Sequence, residues 1–267
     1  MMEIPVYTLD AFTNSPFKGN PAAVCPLIRE LSDDLYQKIA VEMNLSETAF
    51  ITRINQSDDF TKGSRFHLRW FTPATEVNLC GHATLASAAV LFQYKQNINP
   101  TLVFETRSGE LAVTRKGEGY VMDFPLNPPT QEDPNEFRDI IKAAVGNHPV
   151  QDVYLSSNTE KLLVRLADSC DRSVLTSLKV DPVTLQSSER SGRVKGLILT
   201  IKGSPNCQPG YDFYSRYFAP WYGIPEDPVT AYQCSSRGGE LELEVRDDGR
   251  INIAGQAVTV LQGSITL

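Results

Sequence analysis

The sequence is poor in the residues that usually announce chemistry. It holds three histidines, His67, His82 and His148, too scattered to set out a metal site by spacing. Its five cysteines, at 25, 80, 170, 207 and 234, are odd in number and include no C-x-x-C pair, which argues against a disulfide framework and a zinc knuckle. Free thiols in a reducing compartment fit better, and a cytoplasmic location is expected. There is no G-x-S-x-G elbow, Walker loop or G-x-G-x-x-G fingerprint, so hydrolase, NTPase and dinucleotide-binding classes recede together. The longest charge-free apolar run is fourteen residues, short of the ~20 that span a bilayer. The opening Met1-Met2-Glu3-Ile4-Pro5 has neither the basic nor the apolar region of a secretory signal. Lys and Arg number 25 against 32 Asp and Glu, a net charge of -7 without a clustered basic stripe, which disfavours nucleic acid and membrane surfaces as partners.

What the sequence does contain is a repeat. Phe66-His67-Leu68-Arg69-Trp70-Phe71-Thr72-Pro73 returns as Phe213-Tyr214-Ser215-Arg216-Tyr217-Phe218-Ala219-Pro220, each position 147 residues later. Arg107-Ser108-Gly109-Glu110-Leu111 returns as Arg237-Gly238-Gly239-Glu240-Leu241 at an offset of only 130, so the second copy is 17 residues shorter between its landmarks. In the first copy that interval holds the uncharged run Leu79 to Phe92, which reads as a helix buried on every side. In the second, Asp227-Pro228-Val229-Thr230 runs directly into Ala231-Tyr232-Gln233. Duplicated units commonly hold a ligand at their seam, and here one wall of it is reduced.

Local signals place the remaining elements. Ile4 to Phe12 reads as a buried strand, and Gly19-Asn20-Pro21 punctuates the chain before Ala22 to Val24. Ser32 is a good N-cap for a helix with Leu35, Ile39 and Met43 on one face, ending near Asn44. Thr48 to Ile54, Phe66 to Trp70, Thr101 to Thr114 and Tyr120 to Phe124 read as strands. Four prolines between Pro125 and Pro134 mark an interdomain boundary, after which Asp133-Pro134 starts a helix that Gly146 stops. Leu162 to Leu166 and Gly196 to Lys202 read as strands, with a short helix near Arg172 to Leu178 and a polar loop at Ser187 to Lys195. Glu240, Glu242 and Glu244 alternate with Leu241, Leu243 and Val245 as in a half-exposed strand, a solvated face rather than a metal site.

Few residues carry candidate chemistry. Cys80-Gly81-His82 opens the buried helix, where unpaired backbone N–H groups and the positive dipole end can hold a carboxylate, and Gly81 lets a ligand approach the main chain. That reading stands level with one in which Gly81 and His82 only shape a tight turn. Glu47, in Asn44-Leu45-Ser46-Glu47-Thr48-Ala49-Phe50, is an acid among residues that promise burial; apolar surroundings raise a carboxyl pKa toward the range useful for proton transfer. A surface Glu at a strand entrance is the bland alternative, and Asp227 reads equally as a turn or cap residue.

Taken in order, Asp10-Ala11-Phe12-Thr13, Gly19-Asn20-Pro21-Ala22-Ala23-Val24, Asn44-Leu45-Ser46-Glu47-Thr48, Arg69-Trp70-Phe71-Thr72-Pro73, Cys80-Gly81-His82-Ala83-Thr84 and Asp227-Pro228-Val229-Thr230 resemble the PhzF family of phenazine-biosynthesis isomerases. The resemblance covers nearly the whole chain. It implies an α+β, diaminopimelate-epimerase-like fold of two pseudo-symmetric lobes, each a strongly bent antiparallel sheet around a central helix. The lobes are expected at 1–124 and 125–257, with the C-terminal strand 258–267 a candidate to complete the first. The resemblance also implies a cofactor-independent, metal-free isomerase in which Glu47 moves a proton on a small carboxylate-bearing substrate, with His82 and Asp227 as hydrogen-bonding partners. Asn20, Ser46, Cys80, Gly81 and Ala83 would bind the substrate, and a homodimer is allowed. The family continues Asp-Pro-x-Thr with Gly-Ser-Ala and a helix, whereas Thr230 here is followed by Ala231-Tyr232, so the second central helix is missing. Two rival readings remain: a thiol-based epimerase using Cys80, which lacks an opposing cysteine, and a noncatalytic interaction protein derived from the enzyme fold.

Overall fold

In a computed structural model, which describes residues 2–55, 57–203, 211–227, 232–235 and 237–267, the first apolar run forms strand β1 (Glu3–Ala11). It is followed by β2 (Asn20–Leu27), α1 (Asp33–Met43), β3 (Glu47–Arg53), β4 (Arg65–Phe71), β5 (Glu76–Val77), α2 (Gly81–Gln93), β6 (Thr101–Thr106), β7 (Gly109–Lys116) and β8 (Gly119–Pro125). The return into β2 requires Gly19: its φ is +60°, and a Cβ there would stand 2.1 Å from the Ala11 carbonyl oxygen. Ser32 Oγ accepts from Leu35 N at 3.4 Å and Asn44 closes α1 in the left-handed conformation, as local chemistry expects. The stretch expected as one strand from Thr101 to Thr114 is instead the hairpin β6–β7. Its turn at Arg107-Ser108 is held by the Thr106 hydroxyl, which accepts from Ser108 N at 3.1 Å and donates to Gly109 O at 2.7 Å.

Past the prolines come β9 (Thr130–Gln131), a 3-10 turn at Pro134–Phe137, α3 (Arg138–Val145), β10 (Val150–Ser156), β11 (Lys161–Leu166), α4 (Arg172–Ser177), α5 (Pro182–Ser188), β12 (Gly196–Lys202), β13 (Phe213–Ala219), β14 (Ile224–Asp227) and β15 (Tyr232–Gln233). Asp133 caps the 3-10 turn and Gly146 ends α3. Helix α5 extends into the segment expected as a polar loop; Asp181 Oδ2 caps it by accepting from Thr184 N at 2.7 Å, with Pro182 at its first position.

The last three strands are β16 (Glu242–Val245), β17 (Arg250–Gly255) and β18 (Ala257–Thr266). The chain therefore divides into unit 1, Met1–Leu126 with Leu241–Leu267, and unit 2, Asn127–Glu240. Of the strands Glu240 to Val245 and Ile251 to Ile253, expected in the second lobe, all but Glu240 belong to unit 1. β17 pairs with β8 over six residues, and Arg250 reinforces the junction through the Asp123 carboxylate and its carbonyl. β8 would otherwise be a bare sheet edge. As the outermost strand, β16 is exposed along both faces, including Leu243 and Val245, rather than half-exposed.

Unit 1 is an 11-stranded sheet in the order β16-β17-β8-β7-β6-β4-β3-β2-β1-β18, with β5 on β4. β17 and β18 lie eight strand spacings apart in this order, roughly 38 Å if the sheet were flat. Yet only Gln256 separates them in sequence, so the sheet rolls up. Inside the roll lies α2, buried from His82 to Phe92. Its alanines allow close approach of the strands, and Thr84 and Ser87 donate their hydroxyl hydrogens to the carbonyls of Cys80 at 2.6 Å and Ala83 at 2.7 Å. At the closure, Gly255 has no room for a side chain: a Cβ would meet Phe12 at 2.5 Å and Leu85 of α2 at 3.4 Å. On the outer face α1 packs Tyr36, Ile39 and Ala40 against Cys25, Phe50 and Phe71.

The unit 2 sheet runs β14-β13-β12-β11-β10-β9, with β15 on β13. The sheets are not purely antiparallel. β2 with β3, β4 with β6, β11 with β12 and β13 with β15 are parallel, and in the first three pairs an α-helix lies on the intervening chain, as a crossover requires. One face of unit 2, with Leu162, Val164, Leu197 and Leu199, is buried with Ile140, Leu175 and Leu185 from the three helices. Across the other face, Tyr154, Leu163, Ile198 and Tyr217 stand in register as one half-buried row. Among the described residues of unit 2 no helix is apolar all round like α2. Only four residues, Pro228 to Ala231, separate β14 from β15; they lie outside the described residues. No helix of the described residues is long and apolar enough to cross a membrane.

Candidate active site

Five of the eight residues singled out from sequence meet in unit 1. Glu47 is the first residue of β3 and Asn20 the first of β2; His82 lies in the first turn of α2, Cys80 is that helix's N-cap, and Ser46 precedes β3. The parallel pairing of β2 with β3 sets Glu47 opposite Ala22, next to the strand that carries Asn20. His82 Nε2 is 2.9 Å from Glu47 Oε2 and 3.5 Å from Ser46 Oγ. Its Nδ1 is 3.5 Å from the amide nitrogen of Asn20 and 3.5 Å from Cys80 Sγ. These contacts favour the tautomer with hydrogen on Nε2, on the side of Ser46 and the carboxylate but not aimed at Glu47 Oε2, and an accepting Nδ1.

The cluster is shielded from water: Glu47 is 5% exposed, Cys80 6% and His82 1%. Glu47 Oε2 meets the ring at ion-pair distance but receives no well-directed hydrogen bond from the described residues. A buried carboxylate oxygen without a donor is held at a cost, and such arrangements concentrate where a proton is to be taken or given. Beside it, the Cys80 side chain does not cap the start of α2, and a helix start of this kind suits an anion. A Cβ built on Gly81 would meet nothing within 4 Å, so the main chain borders open space there.

Ala83 is wholly buried in the packing around α2. Asp227 belongs to unit 2, where it is buried at the end of β14 opposite Tyr217. Its neighbours in the motif, Pro228 to Thr230, lie outside the described residues. The contacts of Asn20 and Cys80 with the His82 ring had no signal in sequence beyond the buried setting of Gly19-Asn20-Pro21 and the i, i+2 spacing of Cys80 and His82. Elsewhere in unit 1, burial pushes the Cys25 thiol up to about 12, so that thiol is inert.

A rolled sheet around a buried helix is the diaminopimelate-epimerase-like fold. Comparison with known proteins narrows this. Residues 9–231 match the phenazine biosynthesis-like protein family, PhzC-PhzF. The chain is 55% identical to mouse phenazine biosynthesis-like domain-containing protein 1 over 287 residues, covering 99% of this chain and 100% of that one. It is 39% identical to an uncharacterized isomerase of Halalkalibacterium halodurans, with both chains wholly covered. Among solved structures, a PhzF-family phenazine biosynthesis protein of Enterococcus faecalis superposes with a TM-score of 0.81 at 37% identity, with 100% of each chain covered. The chain belongs to the PhzF family. The mouse alignment spans 287 positions against 267 residues here, so that relative carries residues that this chain lacks.

Proposed function

We propose that this protein is an isomerase that moves a proton between carbons of a small carboxylate-bearing substrate without a cofactor, with Glu47 as the group that takes and returns the proton. The observation that carries this reading is the buried Glu47 carboxylate, 2.9 Å from His82 Nε2 with an oxygen left without a well-directed donor. An acid in this setting is oriented by the imidazole and has lone-pair capacity left for a substrate C–H. The uncapped first turn of α2 holds the substrate carboxylate, next to the open space over Gly81. That brings the carbon adjacent to the carboxylate toward Glu47, and the developing negative charge is stabilised by the helix dipole.

The test is deuterium incorporation from D2O into a panel of small saturated and unsaturated carboxylates, followed by proton NMR. Glu47→Gln keeps the shape and removes the base, so exchange falls by roughly 10²- to 10⁴-fold, the share general acid–base catalysis supplies. Cys80→Ser keeps most of the exchange. If Cys80→Ser alone abolishes exchange while Glu47→Gln does not, the thiol is the base. A second reading, a binding protein without turnover, is favoured by the half-buried row on unit 2. It predicts carboxylate binding with no deuterium uptake in the unmutated chain.

A further inference from the structure

Three scattered histidines give no hint of a metal site in the sequence, but the fold brings one of them against a thiol and a carboxylate. The ligand atoms of Glu47, Cys80 and His82 all lie within 4.8 Å of one another. Glu47 Oε2 is 2.9 Å from His82 Nε2, and Cys80 Sγ is 4.0 Å from the same nitrogen. A tetrahedral zinc ion, with bonds of ~2.0–2.3 Å to oxygen, nitrogen and sulfur, holds its ligands roughly 3.3–3.6 Å apart. These two separations are within about half an ångström of that range, and the third, from the Glu47 carboxylate to Cys80 Sγ, is at most 4.8 Å. The set closes on an ion once the Cys80 side chain, now nearer Nδ1 at 3.5 Å, rotates toward Nε2 by roughly 1 Å. We propose that Glu47, Cys80 and His82 form a site for a thiophilic divalent cation of the zinc class, and that its binding withdraws Glu47 from proton transfer.

The donor set selects the ion. Calcium and magnesium prefer shells made of oxygen alone, whereas one thiolate, one imidazole and one carboxylate suit zinc and its neighbours. Charge balance agrees: a dication neutralises a thiolate and a carboxylate that would otherwise be two like charges in a dry site. On binding, the Cys80 S–H bond gives way to a sulfur–metal bond, the proton leaves to solvent, and no electron is transferred. With the metal on Nε2, the His82 proton sits on Nδ1, where the Asn20 amide, 3.5 Å away, can turn its oxygen to accept it. Three protein ligands leave one tetrahedral position for water, as in zinc sites that stay open. The inhibitory consequence rests on the function proposed above; the site itself does not.

The experiment is titration of the metal-free full chain with Zn²⁺ by calorimetry, and with Co²⁺ read by the thiolate-to-cobalt charge-transfer band. One ion per chain, with a cobalt band that zinc displaces, is expected. Cys80→Ser should abolish the band, and Glu47→Gln should weaken zinc binding by at least about 100-fold, beyond what a change behind the ligands costs. Cys170→Ser should leave both unchanged. A missing band in the unmutated chain overturns the site without reference to any variant, and so does a band that survives Cys80→Ser. Circular dichroism of each variant separates a lost ligand from a lost fold. Exchange that persists at saturating zinc overturns the inhibition alone. Zinc binding as described, in a chain that exchanges no deuterium from any carboxylate, supports the site while removing the isomerase reading.

Discussion

In unit 1, Arg69 grips Glu76 through two hydrogen bonds, Nε to Oε1 at 2.7 Å and a terminal nitrogen to Oε2 at 2.8 Å, and its guanidinium lies 5.1 Å over the Phe71 ring. In unit 2, Arg216 does the same with Glu226 at 2.7 and 2.7 Å and lies 4.8 Å over Phe218. The repeated sequence is thus a repeated device on the outer face of β4 and β13. The inner faces differ. Phe66 and Trp70 in β4 are buried in the roll that holds α2, whereas Phe213 and Tyr217, 147 positions on, are only half-buried. The comparison teaches that the outer Arg–Glu fork and the inner helix are separable: one unit keeps both, the other keeps the fork with no such helix among its described residues.

The largest expected effect comes from abolishing the difference. Inserting after Thr230 a helix of the length of α2, opened by Gly-Ser-Ala, should cover Tyr154, Leu163, Ile198 and Tyr217. Each of these would then gain part of the ~1.5–3 kcal/mol that full burial of a large side chain provides, about 5 kcal/mol in all. Denaturant unfolding and hydrogen exchange of unit 2 would report it, and equal stability of the two versions would mean that unit 2 is complete as it stands. Next in size, Leu85→Ala, inside the roll, should destabilise by about 3–5 kcal/mol, while Ile198→Ala on the half-buried row should cost about 1 kcal/mol. Comparable costs in urea melts would erase the contrast between inner faces. The smallest effect is confined to alkaline pH. Because burial raises Cys25 from 9.0 to about 12, the folded chain keeps its full stability below pH 9 and loses it as pH climbs toward 12. The loss is about 1.4 kcal/mol per pH unit, and unfolding of Cys25→Ala should lack this slope relative to the unmutated chain.

Features set by neighbours in sequence were legible: the caps of α1 at Ser32 and Asn44, the start of the 3-10 turn at Asp133-Pro134, the burial of α2, and the repeat. Helix α5 carries the same Asp-Pro opening at Asp181-Pro182, but the polar run after it masked the signal. Strand partners were not legible. Nothing in Ile251 to Ile253 says that its alternation is to be satisfied by β8 of unit 1 rather than by the nearer strands of unit 2, because pairing is chosen by edges available in three dimensions. The same holds for the site. Glu47 and His82 were readable through the family motifs, but the Cys80 and Asn20 contacts depend on how β2, β3 and α2 converge.

The single residue between β17 and β18 has a bearing on synthesis. Unit 1 is interrupted: Glu3 of β1 pairs with Thr266 of β18, and all of unit 2 is translated between them. On the ribosome, unit 2 can form while the first 126 residues still await their closing strands, and α2 then sits in an open trough instead of a closed roll. Joining such distant segments is entropically slow, which leaves the edges of β1 and β8 unpaired in nascent chains for longest. A chaperone that recognises extended apolar strands would find its target there.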